Sequence, residues 1–511
     1  MATMRRDPGR ARFPLVLMGC LAALGAAQAQ TQTHSVTPTL GLRIEHTDNV
    51  DGVSNTNLAG KHSENIVTIS PALELQHRGP NTVLEGRFGL VAEHRVQGTA
   101  SDRVVPDGRL RLRTEPGGHG AGLEASLQAQ QVKPVVSSSG GTSTATANTV
   151  TETQASVAPF FERRVGERHD LIARAQGLQA RTDPRLDTSR ETRTNSFNAQ
   201  VGLIRRPSPF GYALEASALR ENQKSETPSG GTRVPTLRED GRTDQSSIRA
   251  TLLYAFGQEF ESGLILGSED DRRRVVTSGA STNNRIERKF DGEFWGLQAT
   301  WRPGPRTEIN GTYEDRKAAR TWSIDASHRL RRTTLSLTDR QVATRNAPSS
   351  VTQASDTASQ TVTATPGATL PLSNQATTLI SIQRNTGLRV TYAGVRTTLS
   401  LIAGQFRARA LLATGNSTGA DRSRYHGAEI SYRLASQLTP NMGMRWSHAK
   451  DAAGLSRKEQ LISMGLRIRL SQSSSFDAGW SRLKSDANAS PSSPNESTQI
   501  RSVYARLEHR F

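Results

Sequence analysis

From Val503 to the C-terminus the chain alternates between apolar and polar residues. Val503, Ala505, Leu507 and Phe511 interleave with Tyr504, Arg506, Glu508 and Arg510. Successive side chains of a strand point to opposite faces, so this spacing predicts one greasy face and one charged face. The pattern recurs at Val67, Ile69, Pro71, Leu73 and Leu75, with Thr68, Ser70, Glu74 and Gln76 opposite. It returns at Ile248, Ala250, Leu252, Tyr254 and Phe256, at Trp295, Leu297, Ala299 and Trp301, and at Met464, Leu466, Ile468 and Leu470. A helix would need apolar spacings of three and four, which these segments lack. Strands of this kind suit a wall with lipid on one side and water on the other. His509 breaks the rule by sitting on the apolar side.

Breakers divide the strands with a second regularity. Short turns are predicted at Gly79-Pro80-Asn81, Pro116-Gly117-Gly118, Val165-Gly166, Pro207-Ser208-Pro209, Pro303-Gly304-Pro305, Ala393-Gly394 and Thr439-Pro440-Asn441. Between them lie longer polar stretches: 47–64, 133–148, 222–242, 270–283, 345–376 and 486–498. Short turns on one side and long loops on the other are the asymmetry of an outer-membrane barrel. Counting strands this way gives about 22, within roughly 18 to 24, an even number that returns both termini to the periplasm. The expected fold class is therefore all-β: a transmembrane antiparallel β-barrel. Residues 345–376 read as an outer loop, a lumen plug or an extra hairpin.

Composition fits this architecture. Only 34% of the 511 residues are hydrophobic, and a barrel needs apolar side chains on the outward half of each strand alone. A soluble sandwich or propeller would bury both faces of many strands. Aromatic content, at 5%, is low for a protein with two interfacial girdles. At the N-terminus, Arg5, Arg6, Arg10 and Arg12 precede an apolar run from Phe13 to Ala26 and a small-x-small site at Ala27-Gln28-Ala29. This reads as a signal peptide cleaved after Ala29, leaving a barrel over 30–511. Cys20 is the single cysteine and falls within the signal, so the mature chain has none for disulfides. No later run approaches the ~20 apolar residues of a membrane helix.

The whole chain carries a net charge of +18; without residues 1–29, which hold four arginines and Asp7, it carries +15. Arginine is spread over the full length instead of clustering with stacking aromatics, which argues against nucleic acid as a partner. Inward positions Arg249, Arg329, Arg467, Arg469, Arg506 and Arg510 are candidates for lining a basic lumen that draws in an acidic polymer or another anion. The competing reading is that each pairs with a neighbouring carboxylate, as Asp325 or Glu508 would allow.

Other constellations yield no catalytic, metal or cofactor assignment. Asp48, Asn49 and Asp51 offer oxygen donors without the spacing of a twelve-residue calcium loop, and read as turn caps. Gly415-Asn416-Ser417-Thr418-Gly419 has the letters of a nucleophile elbow but is followed by a polar stretch with no helical face. Ser327-His328 and Ser447-His448 are adjacent on strands, so their side chains point to opposite faces and form no relay. The protein is not expected to be an enzyme.

The opening strands, Thr37-Pro38-Thr39-Leu40-Gly41-Leu42-Arg43-Ile44-Glu45-His46-Thr47-Asp48-Asn49-Val50 and Ile66-Val67-Thr68-Ile69-Ser70-Pro71-Ala72-Leu73, resemble those of the PEP-CTERM system-associated outer-membrane barrel proteins. In that family the first strand ends in Thr-Asp-Asn-aliphatic and the second carries a central proline. The similarity continues through Trp322 to Leu337 and Leu388 to Leu401. A terminal aromatic such as Phe511 likewise resembles the signal read by the outer-membrane assembly machinery. The resemblance implies an outer-membrane location in an exopolysaccharide and exosortase setting and supplies no catalytic residues. The function expected on this basis is a channel or export component for a polysaccharide handed over by periplasmic export proteins. The alternatives are a docking barrel whose outer loops hold matrix or surface proteins, and a nutrient porin.

Overall fold

In a computed structural model of the chain, the described residues are 33–511 except 50–60, 99–101, 118–119, 133–149, 184–190, 228–236, 279–282, 318, 346–379, 411–420, 451–455 and 489–495. They form 22 strands. The first are β1 (Thr33–Thr47), β2 (Glu64–Arg78), β3 (Thr82–Arg95), β4 (Arg103–Thr114), β5 (Ala121–Val132), β6 (Val150–Val165) and β7 (His169–Asp183). Next come β8 (Glu191–Arg205), β9 (Phe210–Thr227), β10 (Leu237–Phe256), β11 (Phe260–Ser278), β12 (Asn283–Gly304), β13 (Thr307–Asp315), β14 (Arg320–Arg329) and β15 (Thr333–Arg345). The last are β16 (Ile380–Ala393), β17 (Thr397–Ala410), β18 (Asp421–Tyr432), β19 (Leu438–Lys450), β20 (Ser456–Arg469), β21 (Ser474–Asn488) and β22 (Glu496–Arg510). Each strand pairs antiparallel with its sequence neighbours, and β22 returns to pair with β1 from Thr39↔Arg510 to Thr47↔Ser502. The sheet is a closed ring. In hydrocarbon, closure is what leaves no backbone group without a partner.

The distribution of apolar side chains is inside-out relative to a soluble protein. Large exposed hydrophobics, among them Leu42, Leu73, Ile248, Leu297, Leu401, Met464 and Val503, fall on one parity of each strand. Register carries that parity around the wall: Leu42 faces Ile69 on β2 and Leu507 on β22. The opposite parity points inward, and the buried apolar residues Ile66, Val105, Phe160, Ile265, Phe294 and Phe406 lie there. Aromatics on the lipid side gather in patches. Phe210, Tyr254, Phe256 and Phe260 run edge to edge near the periplasmic turns at centroid spacings of 4.8, 4.5 and 5.6 Å. This clustering supplies an interfacial anchor from a low aromatic content.

Two sequence expectations are corrected. The polar stretches 222–242 and 270–283 are largely strand: β9 runs to Thr227, β10 begins at Leu237 and β11 reaches Ser278. Above the bilayer both faces of a strand meet water, so alternation vanishes while the ladder continues. Thr439-Pro440-Asn441 lies inside β19, opposite Leu466, and the turn is formed by 433–437 instead. Pro440 takes an outward position, as do Pro38 and Pro71. Residues 1–29, the Gly415–Gly419 match and nearly all of 345–376 lie outside the described residues.

The rim is uneven. β12 pairs with β11 from Asn283 to Trp301 but with β13 only up to Trp295↔Asp315. The upper parts of β9 to β12 therefore stand above the neighbouring wall.

Candidate functional site

The inner wall is the surface that a solute would meet, and one device recurs on it. A glycine of one strand lies directly opposite an aromatic residue of the next: Gly122↔Phe160, Gly267↔Phe294, Gly404↔Tyr425 and Gly479↔Tyr504. Each ring lies over its glycine so closely that an added Cβ would collide with ring atoms. An arginine then covers each ring. Arg113 sits 4.5 Å from the Phe160 centroid, Arg316 4.5 Å from Phe294, Arg445 5.5 Å from Tyr425 and Arg43 4.7 Å from Tyr504. Cation–π attraction of this kind strengthens as water is excluded. Each stack pins a flat ring against the wall and braces three strands or their ends.

Carboxylates hold most of the arginines. Arg113 bonds Glu115 at 2.8 Å and Glu124 at 2.9 Å, and Glu124 also receives Arg174 at 2.6 Å. Arg316 lies 2.6 Å from both Glu269 and Glu314, whose side chains are only 8% and 7% exposed. These inward networks satisfy charges that would otherwise be costly to bury.

The six sequence-predicted arginines all occupy inward parity. Arg249 pairs with Glu314 at 3.1 Å, Arg467 with Asp477 at 2.7 Å, Arg506 with Glu508 at 2.6 Å and Arg510 with Glu74 at 3.5 Å. Arg249, Arg467 and Arg510 thus pair across the sheet, whereas Arg506 pairs within its own strand β22. Arg329 and Arg469 stand beside the periplasmic turns, with no carboxylate in ion-pair range among the described residues. They are not brought together into one site. Phe511 packs edge-on against His509 at 4.5 Å, and its amide donates to the Pro38 carbonyl at 2.9 Å, tying the last residue to β1.

Arg109 and Arg111 of β4 were missed. They project inward, exposed and with no carboxylate in ion-pair range among the described residues; Arg109 lies directly opposite Arg87, and Arg111 opposite Glu85. The signal was present in Arg109-Leu110-Arg111-Leu112-Arg113, an alternation as clear as that of β20. Asp48 and Asn49 bind the backbone of β22: Asp48 Oδ1 accepts from the Arg501 amide at 2.7 Å and Asn49 Nδ2 donates to the Gln499 carbonyl at 3.3 Å. They cap the seam where the ring closes.

With this geometry in hand, comparison with solved structures is informative at the level of fold. The ferric citrate transporter FecA in its unliganded form superposes with a TM-score of 0.55 at 11% identity, over 95% of this chain and 80% of that one. The siderophore receptor PiuA from Acinetobacter baumannii gives 0.55 at 10%, over 93% and 82%. The ferric-catecholate import receptor Fiu from E. coli K12, in its closed form, gives 0.55 at 10%, over 94% and 82%. The protein is an outer-membrane β-barrel. No protein-family model matches the chain, and no curated protein matches it in sequence.

These neighbours correct the expected function. The solved barrels that share this fold are named as transporters and receptors for iron compounds, one of them for import. The expectation of polysaccharide export is overturned, and the alternative of a nutrient porin is closer. A ring of 22 strands is larger than the 16–18 of general porins.

Proposed function

We propose that this barrel takes up a bulky anionic nutrient from outside the cell, with ferric chelates as the substrate class. The observation that carries the reading is a transporter-sized ring whose inner wall holds the open cations Arg109 and Arg111 beside Arg87. An anion entering the lumen would meet fixed positive charge on β3 and β4. The shared fold with a ferric citrate transporter and siderophore receptors supports the same class. Membership of the PEP-CTERM system-associated barrel family is part of the proposal and rests on Thr37–Val50 and Ile66–Leu73. Phe511 is proposed as the handle for the assembly machinery.

The test uses iron-limited cells lacking the native gene and complemented with the wild type or with Arg109→Glu/Arg111→Glu. Labelled ferric citrate serves as the probe. Complementation should restore accumulation, and the double variant should lose most of it while reaching the membrane in equal amount. Equal uptake by the deletion strain and the complemented strain overturns the proposal for this probe. A conductance that favours cations in reconstituted bilayers overturns the role of the basic wall.

A further inference from the structure

The outward face of β16 to β19 carries a second charge pattern at the opposite end of the strands from the periplasmic turns. Arg384, Arg407, Arg422 and Lys450 form one row, each directly opposite the next: Arg384↔Arg407, Arg407↔Arg422 and Arg422↔Lys450. Their parity is that of the lipid-facing residues Leu388, Leu401, Ile430 and Met442. Arg424 extends the patch one step below Arg422. Arg407 lies ten residues beyond the start of β17. At ~3.3 Å per residue and a tilt near 45°, that is about 23 Å along the membrane normal, the extracellular edge of a ~25 Å apolar band.

Like charges directly opposite on a sheet destabilise it, so this row calls for anions. The protein supplies few. Arg384 reaches Asp339 at 2.9 Å, but Arg407, Arg422, Arg424 and Lys450 have no carboxylate in ion-pair range among the described residues. The connecting segments 346–379, 411–420 and 451–455 contain two acidic residues, Asp356 and Asp451. The raised sector of β9 to β12 behaves differently. On the outward face of β9 to β12, Asp244 pairs with Arg220 and Arg242 at 2.7 Å each, and Asp270–Arg272 and Asp291–Lys289 close at 3.0 Å. One sector neutralises itself, whereas the other is left cationic at the level of the outer-leaflet headgroups.

We infer that the outward face of β16–β19 binds the phosphorylated glycolipid of the outer leaflet, with Arg407, Arg422, Arg424 and Lys450 holding its phosphates and the apolar wall below meeting its acyl chains. The inference is independent of what passes through the lumen. The occupant follows from charge complementarity and depth: a phosphate at the membrane surface, joined to hydrocarbon, satisfies both.

The experiment uses the full chain in lipid nanodiscs and measures binding of diphosphoryl lipid A, didephosphorylated lipid A and inorganic pyrophosphate. Near a membrane surface each Lys or Arg contributes about fivefold to the affinity for anionic lipid. The variant Arg407→Gln/Arg422→Gln/Arg424→Gln/Lys450→Gln should therefore lose on the order of a hundredfold or more for diphosphoryl lipid A. Arg242→Gln/Arg272→Gln, in the self-neutralised sector, should retain wild-type binding. If the quadruple variant fails the heat-shift test for a folded barrel, Arg407→Gln alone should still weaken binding about fivefold and Arg407→Lys should restore it. Equal affinity for the phosphorylated and dephosphorylated lipids overturns the inference. So does tighter binding of pyrophosphate than of lipid, or full binding by a folded quadruple variant.

Discussion

The closure seam offers a direct test of the glycine–aromatic–arginine stacks. Gly479, Tyr504 and Arg43 come from β21, β22 and β1, so this stack spans the joint between the last strand and the first. A Cβ added at Gly479 would lie 2.6–2.7 Å from the ring atoms of Tyr504, against 3.4 Å or more in ordinary contact. The ring must yield by about 0.8 Å, which lifts it off the wall, presses it on the Arg43 guanidinium that covers it and disrupts the stack. Overpacking of this size costs about 1–3 kcal/mol, and loss of the cation–π contact adds about 0.5–1 kcal/mol. Gly479→Ala should thus destabilise the barrel by about 2–3 kcal/mol in urea unfolding from lipid vesicles, followed by the emission of the adjacent Trp480. The cost should vanish in a Tyr504→Ala background, where there is no ring to displace. Gly311, where nothing lies within 4 Å of an added Cβ, is the control and should accept alanine at little cost. An equal cost for Gly479→Ala with and without Tyr504 would refute the stacking argument.

Three further predictions rest on other contacts. Arg316→Ala strips Glu269 and Glu314, both nearly buried, of the guanidinium at 2.6 Å; a loss of about 3 kcal/mol is expected, largely recovered when both glutamates become glutamine, and a lone variant as stable as wild type would contradict it. Outside the membrane, hydrogen bonds from His94 and from the Arg95 amide hold Asp102 below its ordinary value of 3.8. A lowered folded value means that this stabilisation is present above pH 3.8 and is lost as acidification passes through the lowered value. Hydrogen exchange at the Arg95 amide should report it, the protection being absent at all pH values in Asp102→Ala, which has no side-chain acceptor. Phe511→Ala should lower the amount of assembled barrel in the outer membrane while the protein refolded in vesicles keeps its stability within about 1 kcal/mol; an unchanged amount in cells would count against the terminal residue as a handle.

The membrane-spanning part of the fold was legible because lipid imposes a rule that leaves a mark on the chain. Ile248 to Phe256 and Val503 to Leu507 must be apolar at every second residue, and they sit on the outer wall as that spacing requires. Where water bathes both faces the rule lapses, which is why Asn222 to Thr227 and Asp270 to Ser278 looked like loops although they are strands. The site was less legible for a different reason. Inward parity could be read for Arg249 or Arg467, but their partners Glu314 and Asp477 depend on which strands lie side by side. The ring-over-glycine stacks were equally hidden, since Gly267 and Phe294 become neighbours only once β11 and β12 are paired. The function expected from the family resemblance was misdirected because the motifs carrying it are short, whereas the lumen is built by all 22 strands.

The overhanging portion of β12 has its own logic. Above Trp295 its backbone has β11 on one side and no described strand on the other, an open template on which a stray peptide strand could zip. Arg285, Glu287, Lys289 and Asp291 alternate in sign along the outward face of that spur, pairing within the strand at 2.7 and 3.0 Å. A neighbour adding itself there would have to match each charge or bury it unmatched. In a crowded membrane, such a palisade lets a tall hairpin stand beside other barrels without fusing its sheet to theirs.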